Sequence, residues 1–349
     1  MKNIIESNIK ALGSLSLKEY MSLVLYHPIY GYYSKKNILG SHGDFITAPE
    51  ISQTFGELIA SWIIFNSKSL IKKDFNYVEL GPGKGTLSED IFRTFKKLDK
   101  KLYNKIEKVF FLEKSNIFIK MLEEKFDKAI IIKDIIELEK KSTIVIANEF
   151  FDALPVNQYI YKNNAWYERK IVIKNNNLIF HLANKPTIKK LFFPEKGLDE
   201  AIFEYSEYSN YIVSKICKII KKYNGAFIII DYAKKIGDTK GTLTAIHQHK
   251  HVNPFDMPGQ VDLSVRPDFD LIKKIALLEK CQVIGPIDQG LFLETLGINE
   301  RIKSLIEKNP ELKNILFSQR DRLIKKDYMG EKFKVLIITK FKLEAFLND

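Results

Sequence analysis

Cysteine is nearly absent from the chain. Cys217 and Cys281 are the only two, they stand in apolar contexts with no metal-type spacing, and they read as buried free thiols in a reducing cytoplasm. Arginine is scarce as well: of 55 basic residues only six are arginine. The net charge of +12 is carried by lysines scattered in pairs such as Lys72-Lys73, Lys96-Lys97 and Lys221-Lys222. Diffuse lysine without arginine-rich, aromatic-interleaved patches disfavours nucleic acid as a partner. Long apolar runs are missing too; the longest, such as 226–230 and 335–338, fall far short of the roughly 20 residues that span a bilayer, so no membrane span is expected. The opening Met1-Lys2-Asn3-Ile4-Ile5-Glu6 has neither a signal-peptide core nor an arginine-rich transit pattern, and a bacterial cytoplasmic protein is the expectation.

What is present supports a folded enzyme-sized chain. Hydrophobic residues make up 45% and aromatics 12% of 349 residues, enough for one large α/β domain with insertions or two modest domains. The first seventy residues read as helical and aromatic-rich, with helical apolar spacing over 51–70 behind Pro49-Glu50. Strands are expected at 75–80, 108–112, 129–132 and 143–147, separated by helical patterns in a β-α-β rhythm. Beyond Pro155, segments 156–161, 166–173 and 178–181 look like an inserted antiparallel element with asparagine turns. A helix around 198–222, a strand at 226–230, a loop over 237–268, and strands near 281–284 and at 334–339 complete the pattern. The expected fold is a doubly wound, mostly parallel seven-stranded Rossmann-like sheet. Residues 1–70 would close over the site, and 71–349 would bind the cofactor, with insertion 156–223 serving the acceptor.

The most telling stretch is Tyr77-Val78-Glu79-Leu80-Gly81-Pro82-Gly83-Lys84-Gly85-Thr86, the strand, tight turn and helix start of a nucleotide-type site. A dinucleotide fingerprint would read G-x-G-x-x-G and seat a pyrophosphate. Here the third glycine comes one residue early, and Glu79 would repel a pyrophosphate. A carboxylate in that position suits a ligand with an ammonium group and no phosphates, and S-adenosylmethionine fits. Glu113, leaving the second strand, can hold both ribose hydroxyls.

Ligands of such sheets lie beyond the carboxyl ends of the strands. The exits here carry Glu79, Glu113, Asp134, Asn148-Glu149 and Asp231. After the fourth strand, Asn148-Glu149-Phe150-Phe151-Asp152-Ala153-Leu154-Pro155 combines polar acceptors with aromatics, as a methyl-acceptor pocket requires. Methyl transfer from a sulfonium needs no metal and depends mainly on in-line alignment. An arginine acceptor is always protonated, so carboxylates would have to orient it. Glu149 and Asp152 are the candidates, with Asp44 and Glu50 as closers. The His247-Gln248-His249-Lys250-His251 run holds three histidines, but no cysteine and no H-x-x-E-H pattern accompanies them; it is read as a solvated or substrate-facing loop, with no metal.

These segments resemble the MidA-like family of class I methyltransferases. The resemblance spans Tyr26-His27-Pro28, Gly31-Tyr32-Tyr33, Gly43-Asp44-Phe45-Ile46-Thr47, Phe55-Gly56-Glu57-Leu58 and the glycine turn. It continues through residues 148–155, Ile230-Asp231-Tyr232, His249, Asp262-Leu263-Ser264 and Met329-Gly330. It implies S-adenosylmethionine binding and a protein acceptor, an arginine of a complex I subunit in the mitochondrial member. One departure lies in Asp262-Leu263-Ser264-Val265-Arg266-Pro267-Asp268-Phe269, where the family pattern is D-L-T-x-x-V-D-F.

The expected cofactor residues are Glu79, Gly81, Pro82, Gly83, Gly85, Thr86, Glu113, Asp134 and Ile135. The expected catalytic residues are Glu149, Asp152 and Asn148. The expected substrate residues are Asp44, Phe45, Thr47, Glu50, Phe150, Asp231, His249 and Asp262. The expected activity is methylation of a protein side-chain nitrogen, arginine favoured, by a chain that can act as a homodimer. A non-catalytic assembly scaffold, a nucleic-acid methyltransferase and an NAD-linked oxidoreductase are the alternatives, the last disfavoured by Thr86 and Glu79.

Overall fold

The computed structural model describes residues 1–34, 46–188, 191–234 and 239–343. The chain forms two compact units: Met1–Phe45, Asp152–Tyr211 and Lys234–Pro267 make the first, and Ile46–Phe151, Ile212–Ala233 and Asp268–Asp349 the second. This division differs from the expected boundary at residue 70. Residues 46–70 belong with the large sheet, because the helix Gln53–Leu70 buries Phe55, Ile59, Trp62 and Ile63 in the same core as that sheet.

The second unit is built on seven strands: β1 Phe75–Leu80, β2 Ile106–Leu112, β3 Ala129–Ile132, β4 Thr143–Asn148, β5 Gly225–Tyr232, β6 Gln282–Asp288 and β7 Phe333–Thr339. Their spatial order is β6-β7-β5-β4-β1-β2-β3. All neighbours from β5 to β3 pair in parallel, while β7 runs antiparallel to both β5 and β6. The expected doubly wound, mostly parallel seven-stranded sheet is therefore observed. The order reverses between β1 and β4, and the crevice beyond their carboxyl ends is where such sheets take ligands. Strands β1 and β4 are buried at every position, their polar members Asn76, Glu79, Thr143 and Asn148 included. The helix Thr86–Leu98 turns Leu87, Ile91, Phe92 and Phe95 inward and ends on Lys96-Lys97, which complement its dipole. Edge-to-face aromatic pairs, Tyr77–Phe92 at 4.7 Å and Phe111–Phe126 at 5.1 Å, knit the helices to the sheet.

The first unit holds the expected antiparallel element, a five-stranded sheet of Leu15–Ser16, Asn157–Lys162, Ala165–Lys174, Asn177–Leu182 and Ile202–Tyr205. Two corrections apply. Residues 202–205 form a strand, so the helix expected around 198–222 runs only over Glu207–Tyr223. The expected loop 237–268 contains a three-stranded sheet, Thr244–His247, Lys250–His251 and Asp262–Ser264. Helix Leu17–Tyr26 starts at a capping box between Ser16 and Glu19 and packs Tyr20, Met21, Val24 and Leu25 with Ile171, Ala245 and Leu263. Among the described residues, no helix is long and apolar enough to cross a membrane.

One charged network ties three helices of the second unit together, Gln53–Leu70, Thr86–Leu98 and Ile298–Lys308. Arg301 grips Glu57 through Nε at 2.7 Å and a second nitrogen at 3.1 Å, and Arg93 reaches the same carboxylate at 3.5 Å and Asp90 at 2.8 Å. Removing a half-buried partner leaves charges uncompensated. Glu57→Ala should therefore lower unfolding free energy by about 2–3 kcal/mol, measured by urea melts. A change within about 0.5 kcal/mol, the usual range for an incidental surface pair, would show the network to be incidental.

Candidate active site

The glycine turn leaves β1 with Gly81, Gly83 and Gly85 all at positive φ, +66°, +53° and +73°. At Gly81 the cause is a crossing: a Cβ there would stand 2.9 Å from Cδ2 of Phe150, which arrives from the end of β4. At Gly85 it is packing, since a Cβ would lie 2.6 Å from Phe126 and 2.8 Å from Leu122. Gly85 is also the N-cap of helix Thr86–Leu98 in left-handed conformation, so its backbone leads directly into the helix. Pro82 accepts the Gly85 N–H at 2.8 Å and closes the turn.

Glu79 lies beneath this turn, 3% exposed. Ser88 donates to its carboxylate, and the Tyr77 hydroxyl is 3.0 Å from Ser88 Oγ. Burial pushes the Glu79 carboxyl up to about 8, against the lowering effect of these hydrogen bonds. Ser88 and Tyr77 escaped the sequence reading, although Ser88 is one helical turn from the glycines. Glu113, at the end of β2, accepts N–H bonds from Lys114 and Ser115, both at 2.8 Å. Burial raises its carboxyl too, opposed by those amides and that of Gly83.

Asp134 follows β3 and caps the short 3₁₀ turn Ile135–Glu137, accepting the Ile136 N–H at 2.8 Å. Ile135, expected at the cofactor, points its side chain into the core at 2% exposure, and Ile136 is 70% exposed instead. The repeated isoleucine gave no sign of which one faces outward. Glu50, expected on the substrate side, is tied to the glycine turn: Thr86 Oγ1 donates to it at 2.6 Å and Lys84 Nζ lies 3.6 Å away. Thr47 begins the helix Ala48–Ile51, its carbonyl accepting from Glu50 at 2.9 Å and Ile51 at 3.1 Å. Asp44 and Phe45 lie outside the described residues.

The exit of β4 is the most constrained part of the unit. Asp231 is fully buried, and its carboxylate accepts the Phe150 N–H at 3.2 Å, the Phe151 N–H at 2.9 Å and the Tyr232 N–H at 2.8 Å. Expected to meet substrate, it instead holds the turn that follows β4. Within that turn Glu149 has φ +50°, costly for a residue with a Cβ. Its Oε1 accepts the Ala48 N–H at 3.0 Å and the Asn148 amide at 3.2 Å. Asn148 is 8% exposed, and its Oδ1 has no hydrogen-bond partner among the described residues. A buried acceptor left without a donor costs about 1–3 kcal/mol and calls for a ligand.

The remaining expected residues belong to the first unit. Asp152 is half-buried, with its carboxyl pushed up to about 7 by burial despite backbone N–H groups of Ala153 and its own residue. Asp262 is 8% exposed on the strand Asp262–Ser264 and receives the Tyr33 hydroxyl at 3.4 Å. His249 occupies the exposed tip of the hairpin between Thr244–His247 and Lys250–His251, with φ +62°. Tyr26 and Tyr33 were not singled out for chemistry, though both stand in the stretches that carry the family resemblance.

The second unit's residues suit S-adenosylmethionine. A glycine cradle that side chains would fill, a buried carboxyl beneath it for an ammonium, and a second acid at the β2 exit for ribose hydroxyls match its parts. Because the Glu79 carboxyl is raised, it costs little below its ordinary value of 4.5 and destabilises the fold progressively as pH climbs toward 8. Glu79→Gln should therefore be more stable than the parent at pH 8, indistinguishable near pH 4.5, and weaker in S-adenosylmethionine binding. Thermal melts with and without ligand at both pH values check this; equal stability at pH 8 would show that Glu79 carries no buried-charge penalty. Gly81→Ala should weaken cofactor binding at least tenfold by calorimetry, because its Cβ would displace Phe150.

Comparison with known proteins agrees with the cofactor class. Residues 58–287 match the family model described as "Putative S-adenosyl-L-methionine-dependent methyltransferase". The protein arginine methyltransferase NDUFAF7 of Xenopus tropicalis mitochondria is 32% identical over 356 aligned positions, covering 93% of this chain and 82% of that protein. The human mitochondrial protein of the same name is 32% identical over 355, covering 93% and 80%. A COG1565 superfamily member from Burkholderia thailandensis, crystallised with S-adenosyl-homocysteine, shares the fold at TM-score 0.83 and 21% identity, covering 97% of this chain and 91% of that one. The chain thus belongs to the MidA-like family of class I S-adenosylmethionine-dependent methyltransferases.

Proposed function

We propose that the enzyme methylates a side-chain nitrogen of a protein, an arginine in the first place, and that its acceptor is a subunit of respiratory complex I. The names of its relatives, protein arginine methyltransferases at about a third identity, support the acceptor class. The carrying observation is the β4 exit, where the strained Glu149 stands beside Asn148, whose buried Oδ1 has no partner among the described residues. Two free buried thiols, Cys217 and Cys281, suit a reducing cytoplasm as the place of action.

S-adenosylmethionine, when bound, supplies an electrophilic methyl group on a sulfonium. The protein's task is to hold the acceptor nitrogen in line and to keep water away. Asn148 Oδ1 accepts an N–H of the incoming group, which satisfies the buried oxygen. Glu149 orients a guanidinium through charge-assisted hydrogen bonds, and its fixed position comes from the Ala48 N–H. Phe150, held by Asp231 and lying over Gly81, walls off solvent.

The test is methylation of complex I subunits by the purified enzyme, read as methylarginine by mass spectrometry. Glu149→Gln should lower turnover at least a hundredfold with S-adenosylmethionine affinity within twofold of the parent. Unchanged turnover would remove Glu149 from the chemistry, and methylation confined to other residue types would remove arginine.

A further inference from the structure

The first unit contains an aromatic and acidic cluster that the roles given above leave incomplete. Helix Leu17–Tyr26 ends at Tyr26, whose hydroxyl donates to the Ala153 carbonyl at 2.8 Å. The Tyr26 ring stacks on Tyr33, with centroids 5.5 Å apart and planes 30° from parallel. Tyr33 belongs to the 3₁₀ turn Tyr32–Ser34 and is braced edge-on by Tyr32 at 5.3 Å. Its hydroxyl donates to Asp262 Oδ1 at 3.4 Å, longer than the roughly 2.7–2.8 Å of a tight O–H···O bond. Asp152 is the second acid acting on Tyr33, and its own carbonyl is pinned by the Val265 N–H at 2.9 Å. Two carboxylates and two half-exposed phenol rings thus converge from three separate stretches of chain.

This combination discriminates between cations. A guanidinium is planar, weakly hydrated, stacks on aromatic faces and presents a rigid fork of donors to carboxylates. A lysine ammonium is a compact, strongly hydrated point charge that gains little from a flat phenol pair. Burial and the neighbouring acids raise the Tyr33 hydroxyl well above its usual range, so it stays a donor at any physiological pH.

We infer that Tyr33 is a specificity-determining positioning residue: it aims Asp262 and, stacked with Tyr26, presents a surface selective for a guanidinium over an ammonium. The inference rests on the protein-arginine reading for its biological meaning, but its test does not depend on that reading. Ethylguanidinium and butylammonium serve as probes, titrated into the full chain saturated with S-adenosylhomocysteine and followed by ligand-observed NMR. The parent should prefer ethylguanidinium at least fivefold. Tyr33→Phe, which keeps the ring and removes the hydroxyl, should abolish that preference, with S-adenosylhomocysteine affinity within twofold and an unchanged circular dichroism spectrum. Asp262→Asn should do the same and serves as the second variant if Tyr33→Phe folds poorly. No preference in the parent, or an undiminished one in both variants, would overturn the inference. A Tyr33-dependent guanidinium preference without methylarginine in any acceptor would support the inference and overturn the protein-arginine reading.

Discussion

The buried carboxylate of Asp231 anchors the site. It sits at the end of β5, fully enclosed, and receives three backbone N–H groups, two of them from the turn that leaves β4. A carboxylate out of water is tolerated only when hydrogen bonds replace its hydration. The turn is thereby held in one conformation, and its consequences run outward. Glu149 is kept at a positive φ it would otherwise leave, Asn148 Oδ1 has no donor among the described residues, and Phe150 is set down on Gly81. The glycine requirement at the β1 exit is thus partly a consequence of the β4 exit.

The two acids of the cofactor region act by different means. Glu113 is satisfied by amides of its own strand exit, so its geometry is preset. Glu79 is held under the glycine turn by Ser88 and Tyr77 and is kept largely protonated by burial. Such a group is a stability cost until a cation arrives, an exchange that functional sites commonly make. Glu50, with Lys84 and Thr86, stiffens the outer side of the same turn.

Much of the larger unit was legible in sequence. β1 and β3 have the expected bounds, and β2 and β4 differ by one or two residues, because short apolar-rich stretches alternate with helical patterns along the chain. The smaller unit was less legible. The residues of the strand Ile202–Tyr205 pair with Asn157–Lys162, some forty positions earlier, and no local period distinguishes them from the helix that follows. The sheet within 237–268 consists of strands of two to four residues, too short for periodicity to register. The split into units interleaves three stretches of chain with three others, whereas the expectation divided the chain at residue 70 with one insertion at 156–223.

Local chemistry was enough to place an acid at each strand exit and glycines where the backbone must bend. The sequence by itself therefore determined the sheet, the cofactor class and the candidate set. It could not sort that set, because an aspartate looks the same whether it faces solvent or is enclosed by amides. Tertiary packing decided that Asp231 holds a turn, that Glu50 braces the glycines, that Ile136 rather than Ile135 is outward, and that Tyr33 meets Asp262 across more than two hundred residues. Side-chain type is a property of the chain, whereas burial and hydrogen-bond partnership arise only when distant segments meet.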